Sequence, residues 1–167
     1  MYNLKIISST VRPGRKGPQV AAWVAELAKQ TGKYNVEVLD LGEINLPLMN
    51  EPNHPVLRKY THEHTKWWSA KIEEADAFIF VTAEYDHSYP AALKNALEYL
   101  VQEWGYKPAG IVSYGGISAG TRAARALVAD LATMRMVPLP EAVNFPFFQQ
   151  NFNDQNEFTG TDSSHKA

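Results

Sequence analysis

The sequence alternates short apolar segments with segments that carry a helical pattern, and this alternation constrains the fold more than any other feature. The predicted strands are Leu4–Ile7, Val36–Leu41, Ala77–Ala83, Ala109–Gly115 and Met136–Val143. Ala77–Ala83 is apolar enough to be buried on both faces of a parallel sheet. Two prolines in the last segment favour an edge strand or an interrupted one.

Helical patterns lie between the predicted strands. Gly17 and Pro18 begin the first helix, because proline suits a first helical turn, and Gly32 ends it. The second helix covers about residues 56–75, the third begins at Pro90 and the fourth begins near Ser118. Repeated strand–helix alternation predicts an open, doubly wound α/β sheet, which binds ligands in the loops beyond the carboxyl ends of its strands.

Composition excludes several classes of protein. A chain of 167 residues suits one domain, and a net charge of −2 disfavours a dedicated nucleic-acid binder. No apolar run approaches the ~20 residues that span a bilayer, and the start of the chain lacks the features of a signal peptide. The absence of cysteine removes disulfides and thiolate-bound clusters. We expect a cytoplasmic protein with no membrane partner.

The loop after the first predicted strand has the chemistry of an anion site. Ser8–Pro18 reads SSTVRPGRKGP and leads into a helix, whose first N–H groups and dipole favour an anion. Thr10 and Gln19 can donate hydrogen bonds, and Arg12 can clamp a phosphate. The loop has neither a Walker nor a Rossmann glycine pattern, which disfavours a nucleoside triphosphate and a dinucleotide. A solvated basic turn is the alternative.

Two further loops have features of a ligand site. Thr82–Pro90 reads TAEYDHSYP, in which Tyr85 and Tyr89 could flank a flat ring and backbone amides could bond the edge of a heterocycle. Ser113–Gly120 reads SYGGISAG, where glycines allow close approach of the backbone, although a tight turn explains them nearly as well. A monophosphate that carries a planar ring fits the three loops together, and FMN is the evident candidate.

The same three loops resemble those of the NADPH-dependent FMN reductase family of flavodoxin-like proteins. STVR (Ser9–Arg12) resembles the family's G-S-x-R motif, and TAEYDHSYP resembles T-P-E-Y-N-x-S-x-P. SYGGISAG matches S-Y-G-G-x-S-x-G in full. Ala83 and Asp86 depart from the family's proline and asparagine. The resemblance covers roughly residues 4–146 and implies a flavodoxin-like three-layer fold with a five-stranded parallel sheet in the order 2-1-3-4-5.

The resemblance also implies the site residues. The residues expected at the FMN phosphate and the start of the ribityl chain are Thr10, Arg12, Lys16, Gly17, Gln19 and Val20. The residues expected along the isoalloxazine ring are Ala83, Glu84, Tyr85 and Asp86 on its pyrimidine side and Ser113, Gly115 and Gly116 opposite. The flavin-binding domain would cover residues 1–148, followed by a polar, partly disordered tail over 149–167.

The function implied is FMN-dependent NAD(P)H oxidoreduction by a ping-pong mechanism. Quinones, azo compounds, metal oxyanions and free flavin are the acceptors considered, and no catalytic side chain is assigned because the flavin carries the chemistry. Arg15 or Arg122 is a candidate contact for a nicotinamide-cofactor phosphate. A dimer or tetramer is expected, with residues 54–68 and 144–148 as candidate contacts. The alternative is a flavodoxin-like electron carrier, although such carriers are usually more acidic.

No metal site is predicted. His62 and His64 are the one concentrated pair of imidazoles, and at a spacing of two residues on a helix they would point to nearly opposite sides.

Overall fold

The computed structural model of the protein describes residues 1–161, 164 and 165 and contains one sheet of five parallel strands. The strands are β1 (Tyr2–Ser8), β2 (Tyr34–Asp40), β3 (Ala77–Ala83), β4 (Pro108–Tyr114) and β5 (Val137–Phe145). Their order across the sheet is β2-β1-β3-β4-β5. The predicted fold class and strand order are confirmed.

Helices cover both faces of the sheet, as right-handed crossovers require. They are α1 (Gly17–Gln30), α2 (Leu41–Ile44), α3 (Glu63–Glu73), α4 (Ala91–Glu98) and α5 (Thr121–Thr133). Val20 of α1 packs in one core with Ile6 and Val81, whereas Trp68 of α3 and Leu93 of α4 belong to the core of the opposite face. Among the described residues no helix is both long and apolar enough to cross a bilayer.

Two elements differ from their predicted extents. The helix predicted over residues 56–75 is divided, because a 3₁₀ turn at Pro55–Leu57 ends at Arg58, which has a φ of 51°, and α3 begins only at Glu63. The last strand is longer than predicted and is an edge strand. Its register to β4 shifts between Ala109 and Ile111. The shift leaves residues 139–141, with Pro140 among them, outside the regular pairing, since proline has no N–H to donate, whereas Pro138 stays in register with Ala109.

The two histidines are arranged differently from the prediction. His62 has extended backbone angles (φ −88°, ψ 140°) because it precedes α3 as its N-cap, whereas His64 lies within the helix. Their rings therefore stack, with centroids 5.1 Å apart, instead of pointing to opposite sides. Each Nε2 lies within hydrogen-bond distance of an oxygen of Asn50, at 3.2 Å and 3.1 Å. The predicted directions of the two rings were wrong because helical spacing was applied to His62, which lies outside the helix.

Glu51 ties the preceding loop to the start of α3. Its carboxylate accepts hydrogen bonds from the backbone N–H of Thr61 (2.8 Å), the hydroxyl of Thr61 (2.9 Å) and the N–H of His62 (3.0 Å). Burial raises the pKa of this carboxyl, but hydrogen bonds from Thr61, Thr65 and His62 outweigh burial and lower the pKa from 4.5 to about 2. The ionised carboxylate is therefore the form that stabilises the fold.

We expect Glu51→Gln to lower the free energy of unfolding by about 1 kcal/mol at pH 7. Solvent screening makes this loss smaller than the pKa shift of Glu51 alone would give. Because the folded pKa lies below the unfolded one, this contribution is complete above about pH 4.5 and is lost as the pH falls towards 2. Urea unfolding of both proteins at pH 7 and pH 3 measures the difference. Thr61→Val should reduce the pH-dependent part of the stability. An equal difference in stability between wild type and Glu51→Gln at pH 7 and pH 3 would contradict the role of the ionised Glu51 carboxylate.

The segment after β5 packs against α1. The ring of Phe158, which is 6% exposed, lies 5.6 Å from the ring of Trp23 and 4.9 Å from that of Phe145. An isolated bridge joins Phe152 to Phe158. Disorder was predicted for the end of this tail, where residues 162, 163, 166 and 167 lie outside the described residues. The domain boundary at residue 148 stays a prediction.

Candidate active site

The three predicted ligand loops follow β1, β3 and β4, which are neighbours in the sheet. Hydrogen bonds connect these segments: Ser9 N donates to Val81 O (3.1 Å), and Glu84 N donates to Tyr114 O (3.3 Å). A cleft of about 200 Å³ lies between the loops. The predicted residues that line it are Arg12, Lys16, Ala83, Glu84, Tyr85, Gly115 and Gly116. A larger groove of about 440 Å³ lies beside α1, but its lining contains no charged side chain, so it does not suit a phosphate.

The start of α1 lies next to the end of the cleft that Arg12, Arg15 and Lys16 line. Gly17 begins the helix, and the preceding Lys16 makes no side-chain cap, so unpaired N–H groups of the first turn face the loop. A Cβ at Gly17 would lie 2.3 Å from Thr10 Oγ1, which shows how closely the loop approaches the helix. Thr10 Oγ1 and Gln19 Oε1 are buried without a hydrogen-bond partner among the described residues. The Thr10 hydroxyl and the Arg12 guanidinium can donate to a phosphate monoester, whereas Gln19 can do so only through its amide nitrogen, because Oε1 is an acceptor.

Val20 and Ser113 of the predicted set are engaged within the protein. The side chain of Val20 is fully buried in the core, and its N–H donates to Lys16 O at 3.3 Å. The hydroxyl of Ser113 is 2.8 Å from Ala119 O and 2.7 Å from Asn144 Oδ1. A ligand would therefore contact Val20 through atoms other than its N–H, and Ser113 through atoms other than its hydroxyl.

The four cations near the cleft have different surroundings. Arg12 is exposed and forms no ion pair with the residues that the structure describes. The ammonium of Lys16 lies 2.5 Å from Asn156 Oδ1 and 5.0 Å from the centre of the Phe152 ring, so the tail holds it beside the loop. Arg15 pairs with Asp40 (2.8 Å) and Arg122 pairs with Glu84 (3.1 Å). Arg12 is therefore the most accessible cation for an incoming anion.

The loop after β3 is held by Glu84 and by a tight turn. The Glu84 carboxylate accepts from the backbone N–H of Arg122 (3.2 Å) in addition to its ion pair, which fastens the loop to the start of α5. Asp86 and His87 both have positive φ, 48° and 67°. This pair of left-handed residues resembles a type I′ turn, where asparagine and aspartate are tolerated. The turn explains why a short polar residue occupies position 86.

Tyr89 does not flank the cleft, contrary to the sequence-based interpretation. It is 8% exposed, belongs to the core on the α4 side, and donates a hydrogen bond to Asp130. Burial, reinforced by the hydrogen bond and charge of Asp130, raises the pKa of Tyr89. Tyr85, in contrast, is 38% exposed and lines the cleft. One of the two tyrosines is therefore available to a ring.

The two glycines after β4 have different roles. A Cβ at Gly115 would lie 3.1 Å from Gly120 N, so packing inside the loop already requires a small residue there. A Cβ at Gly116 would meet no atom within 4 Å. Gly116 therefore leaves bare backbone beside the cleft without any need from packing.

A fourth loop, which the sequence analysis did not assign to the site, follows β5. Phe147 N donates to Gly116 O (3.0 Å) and Phe148 N donates to Gly115 O (3.2 Å). Phe148 and Gln149 line the cleft. The segment was interpreted only as a subunit contact, but its position after the carboxyl end of a strand next to β4 was a signal that could have found it.

A five-stranded parallel sheet in the order β2-β1-β3-β4-β5, with a cleft lined by cations, a tyrosine and glycine backbone beyond the carboxyl ends of its strands, is a flavodoxin-like fold. The model of the NADPH-dependent FMN reductase family matches residues 3–150. A NAD(P)H-dependent FMN reductase of Schizosaccharomyces pombe is 42% identical over 144 residues, 84% of this chain and 72% of the relative. A quinone reductase of Pseudomonas putida is 30% identical over 153 residues, 85% and 77% of the two chains.

The solved structure of the flavoenzyme NAD(P)H:(acceptor) oxidoreductase FerB from Paracoccus denitrificans superimposes with a TM-score of 0.78 at 22% identity. The match covers 99% of this chain and 90% of that one, and it shows the fold. The chain belongs to the NADPH-dependent FMN reductase family. It is accordingly an oxidoreductase that uses FMN, with NAD(P)H as co-substrate.

Proposed function

We propose that the protein transfers electrons from NAD(P)H through FMN to a small acceptor by a ping-pong mechanism. A quinone, an azo compound, a metal oxyanion or free flavin would accept them. The observation that supports this most directly is the convergence of three loops with phosphate-binding and ring-binding chemistry on one open cleft. The bound flavin supplies the hydride-accepting and electron-donating chemistry. Donor and acceptor would occupy the same open side of the cleft in turn.

The protein's own part in the proposed reaction is to bind and orient. Thr10, Arg12, Lys16, Gly17 and Gln19 would hold the phosphate end, as the donor set at the start of α1 suggests. Residues 83–86 and 113–116 would border the ring, on either side of the cleft. Glu84 would act indirectly, since its carboxylate fastens one ring-binding loop to α5. No side chain is assigned as an acid or base.

The test combines binding with turnover. Purified protein is incubated with FMN, freed of excess ligand and assayed for oxidation of NADPH and NADH with menadione, an azo dye, chromate and free FMN. We expect bound flavin, and initial rates that give parallel lines in double-reciprocal plots. A protein that retains no flavin would contradict the proposal. Bound flavin without nicotinamide oxidation would favour an electron carrier.

We expect Arg12→Ala to weaken FMN binding by about 1.5–3 kcal/mol, the range for hydrogen bonds to a charged group. Arg12 has no carboxylate partner among the described residues, so its removal changes little else in the fold. Quenching of flavin fluorescence on titration with apoprotein measures the affinity. Arg125→Ala removes an exposed arginine of α5 outside the cleft and serves as the matched control. Equal FMN affinities for the two variants would contradict the role of Arg12.

We also propose that the protein is cytoplasmic and self-associates. Exposed apolar side chains on the surfaces suggested for contact between subunits support self-association: Leu57 is 54% exposed, Trp67 44% and Phe147 48%. Sedimentation velocity over a tenfold range of concentration tests it, and a monomer throughout would contradict it.

A further inference from the structure

Three buried hydroxyl groups converge beneath the anion-binding end of the cleft. Ser8 is the last residue of β1 and Tyr114 is the last residue of β4, and they are 0% and 3% exposed. Thr10 is 1% exposed. The position that a Cβ would take at Gly17 lies 2.3 Å from Thr10 Oγ1 and 3.0 Å from both Ser8 Oγ and Tyr114 Oη. The strands on either side of β3 and the first loop thus direct one hydroxyl each at the start of α1.

The three hydroxyls make no hydrogen bond to a described residue outside the set, and within it the Thr10 hydroxyl lies close enough to the Tyr114 hydroxyl to act on the pKa of Tyr114. Neighbouring buried hydroxyls do have such partners: Ser9 Oγ donates to Thr82 Oγ1 (3.2 Å), and Ser113 Oγ donates to Ala119 O (2.8 Å). A buried polar group without a partner costs about 1–3 kcal/mol, so its retention requires a reason. Binding of one shared anion would explain why all three hydroxyls are retained around the start of α1.

The Tyr114 hydroxyl is held in place and keeps its proton. Its ring packs on Phe148 at a centroid distance of 4.8 Å, which limits rotation of the side chain. Burial raises the pKa of Tyr114, although the nearby Thr10 hydroxyl acts in the opposite direction. A protonated phenol is a hydrogen-bond donor, as are the serine and threonine hydroxyls. The three hydroxyls can therefore donate hydrogen bonds to the oxygens of an anion. Alternatively, the Thr10 hydroxyl can orient a neighbouring donor towards those oxygens.

We propose that Ser8 and Tyr114 act with Thr10 as a three-hydroxyl set that recognises the phosphate of the flavin and selects FMN over uncharged riboflavin. This inference rests on the proposed function, in which the start of α1 receives that phosphate. Neither Ser8 nor Tyr114 is among the residues assigned above to the phosphate. Ser8 was included only in the first predicted loop, and Tyr114 only in the segment 113–116 beside the ring.

The test compares two flavins that differ only in the phosphate. Apoprotein, Tyr114→Phe and Ser8→Ala are titrated with FMN and with riboflavin, and quenching of flavin fluorescence gives each Kd. We expect Tyr114→Phe to raise the Kd for FMN about tenfold or more and Ser8→Ala to raise it in the same direction. The Kd for riboflavin should change by less than about twofold, since no charged group is lost from its recognition.

Thermal unfolding of the apoproteins separates recognition from structure. Ser8→Ala should not lower the Tm, because the Ser8 hydroxyl bonds no described residue, and Tyr114→Phe loses only its contact with the Thr10 hydroxyl, so it should lower the Tm less than the control below. Tyr99→Phe is the matched control, because this buried hydroxyl donates to Pro47 O (2.9 Å) away from the cleft. It should lower the Tm and leave the ratio of the two flavin affinities unchanged.

The outcomes are distinguishable. Equal changes for FMN and riboflavin, no change for either, or the same change of ratio in Tyr99→Phe would overturn the hydroxyl set while the proposed function stands. Wild-type protein that fails to bind FMN more tightly than riboflavin would remove the phosphate site itself, and with it both proposals.

Discussion

Gly17→Ala is expected to raise the Kd for FMN about 100-fold, as for the loss of about 3 kcal/mol of hydrogen bonding to a charged group, and this is the largest effect on binding that we predict. The added Cβ would lie 2.3 Å from Thr10 Oγ1, a distance that real Cβ atoms essentially never show. Ser8 Oγ and Tyr114 Oη, each 3.0 Å away, stop it from moving deeper. Either the Thr10 side chain or the start of α1 must therefore move, and the first N–H groups of the helix and the hydroxyls no longer point to the same position.

Fluorescence titration with FMN and thermal unfolding of the apoprotein measure the two effects of Gly17→Ala. Overpacking should also lower the free energy of unfolding by about 1–3 kcal/mol. Gly110→Ala is the matched control, because its Cβ would make an ordinary contact of 3.6 Å with Ile79 on the sheet. Equal FMN affinities for Gly17→Ala and Gly110→Ala would contradict a phosphate site at the start of α1.

Gly120→Ala is expected to have the largest effect on stability, about 2–5 kcal/mol. Gly120 precedes α5 with a φ of 78°, a left-handed conformation that costs a residue with a Cβ about 1–2 kcal/mol. The same Cβ would lie 2.7 Å from Tyr114 N and 2.9 Å from Tyr114 O. Overpacking against backbone, which cannot rotate away, adds about 1–3 kcal/mol.

A cost of this size corresponds to a fall in Tm of about 10 °C for a chain of this length. Gly116→Ala is the control within the same loop, since its Cβ would meet no atom within 4 Å. Differential scanning calorimetry of the apoproteins should show a wild-type Tm for Gly116→Ala and the large fall only for Gly120→Ala. Similar Tm values for both variants would contradict the assigned conformation.

Local sequence patterns were sufficient for the main features of the fold. Each strand and crossover is encoded by a contiguous segment, as Ala77–Ala83 illustrates, and the parallel arrangement follows from their alternation. The three ligand loops were predictable for the same reason, because a loop that follows a strand and precedes a helix must lie at the carboxyl edge. Local patterns were less reliable at boundaries, where Arg58 and Glu63 divide a helix that periodicity had joined.

Features that depend on distant parts of the chain could not be predicted. Tyr89 looked like a companion of Tyr85, but a partner 41 residues later, Asp130, draws it into the core. The cations Arg15 and Arg122 looked free until Asp40 and Glu84 were placed beside them. Lys16 is held by Asn156, 140 residues away. A single sequence shows the charge of a residue but not its partner.

The amino-acid order alone therefore determined the class of fold, and it predicted the ligand edge of the sheet and an anion site in the first loop, because these depend on periodicity and on residues adjacent along the chain. Only the tertiary structure decided which side chains serve the cleft. Ser8 and Tyr114 lie 106 residues apart in sequence, and they approach Gly17 together because β1, β3 and β4 end at one edge. Such residues meet only through tertiary packing, which no local sequence pattern shows.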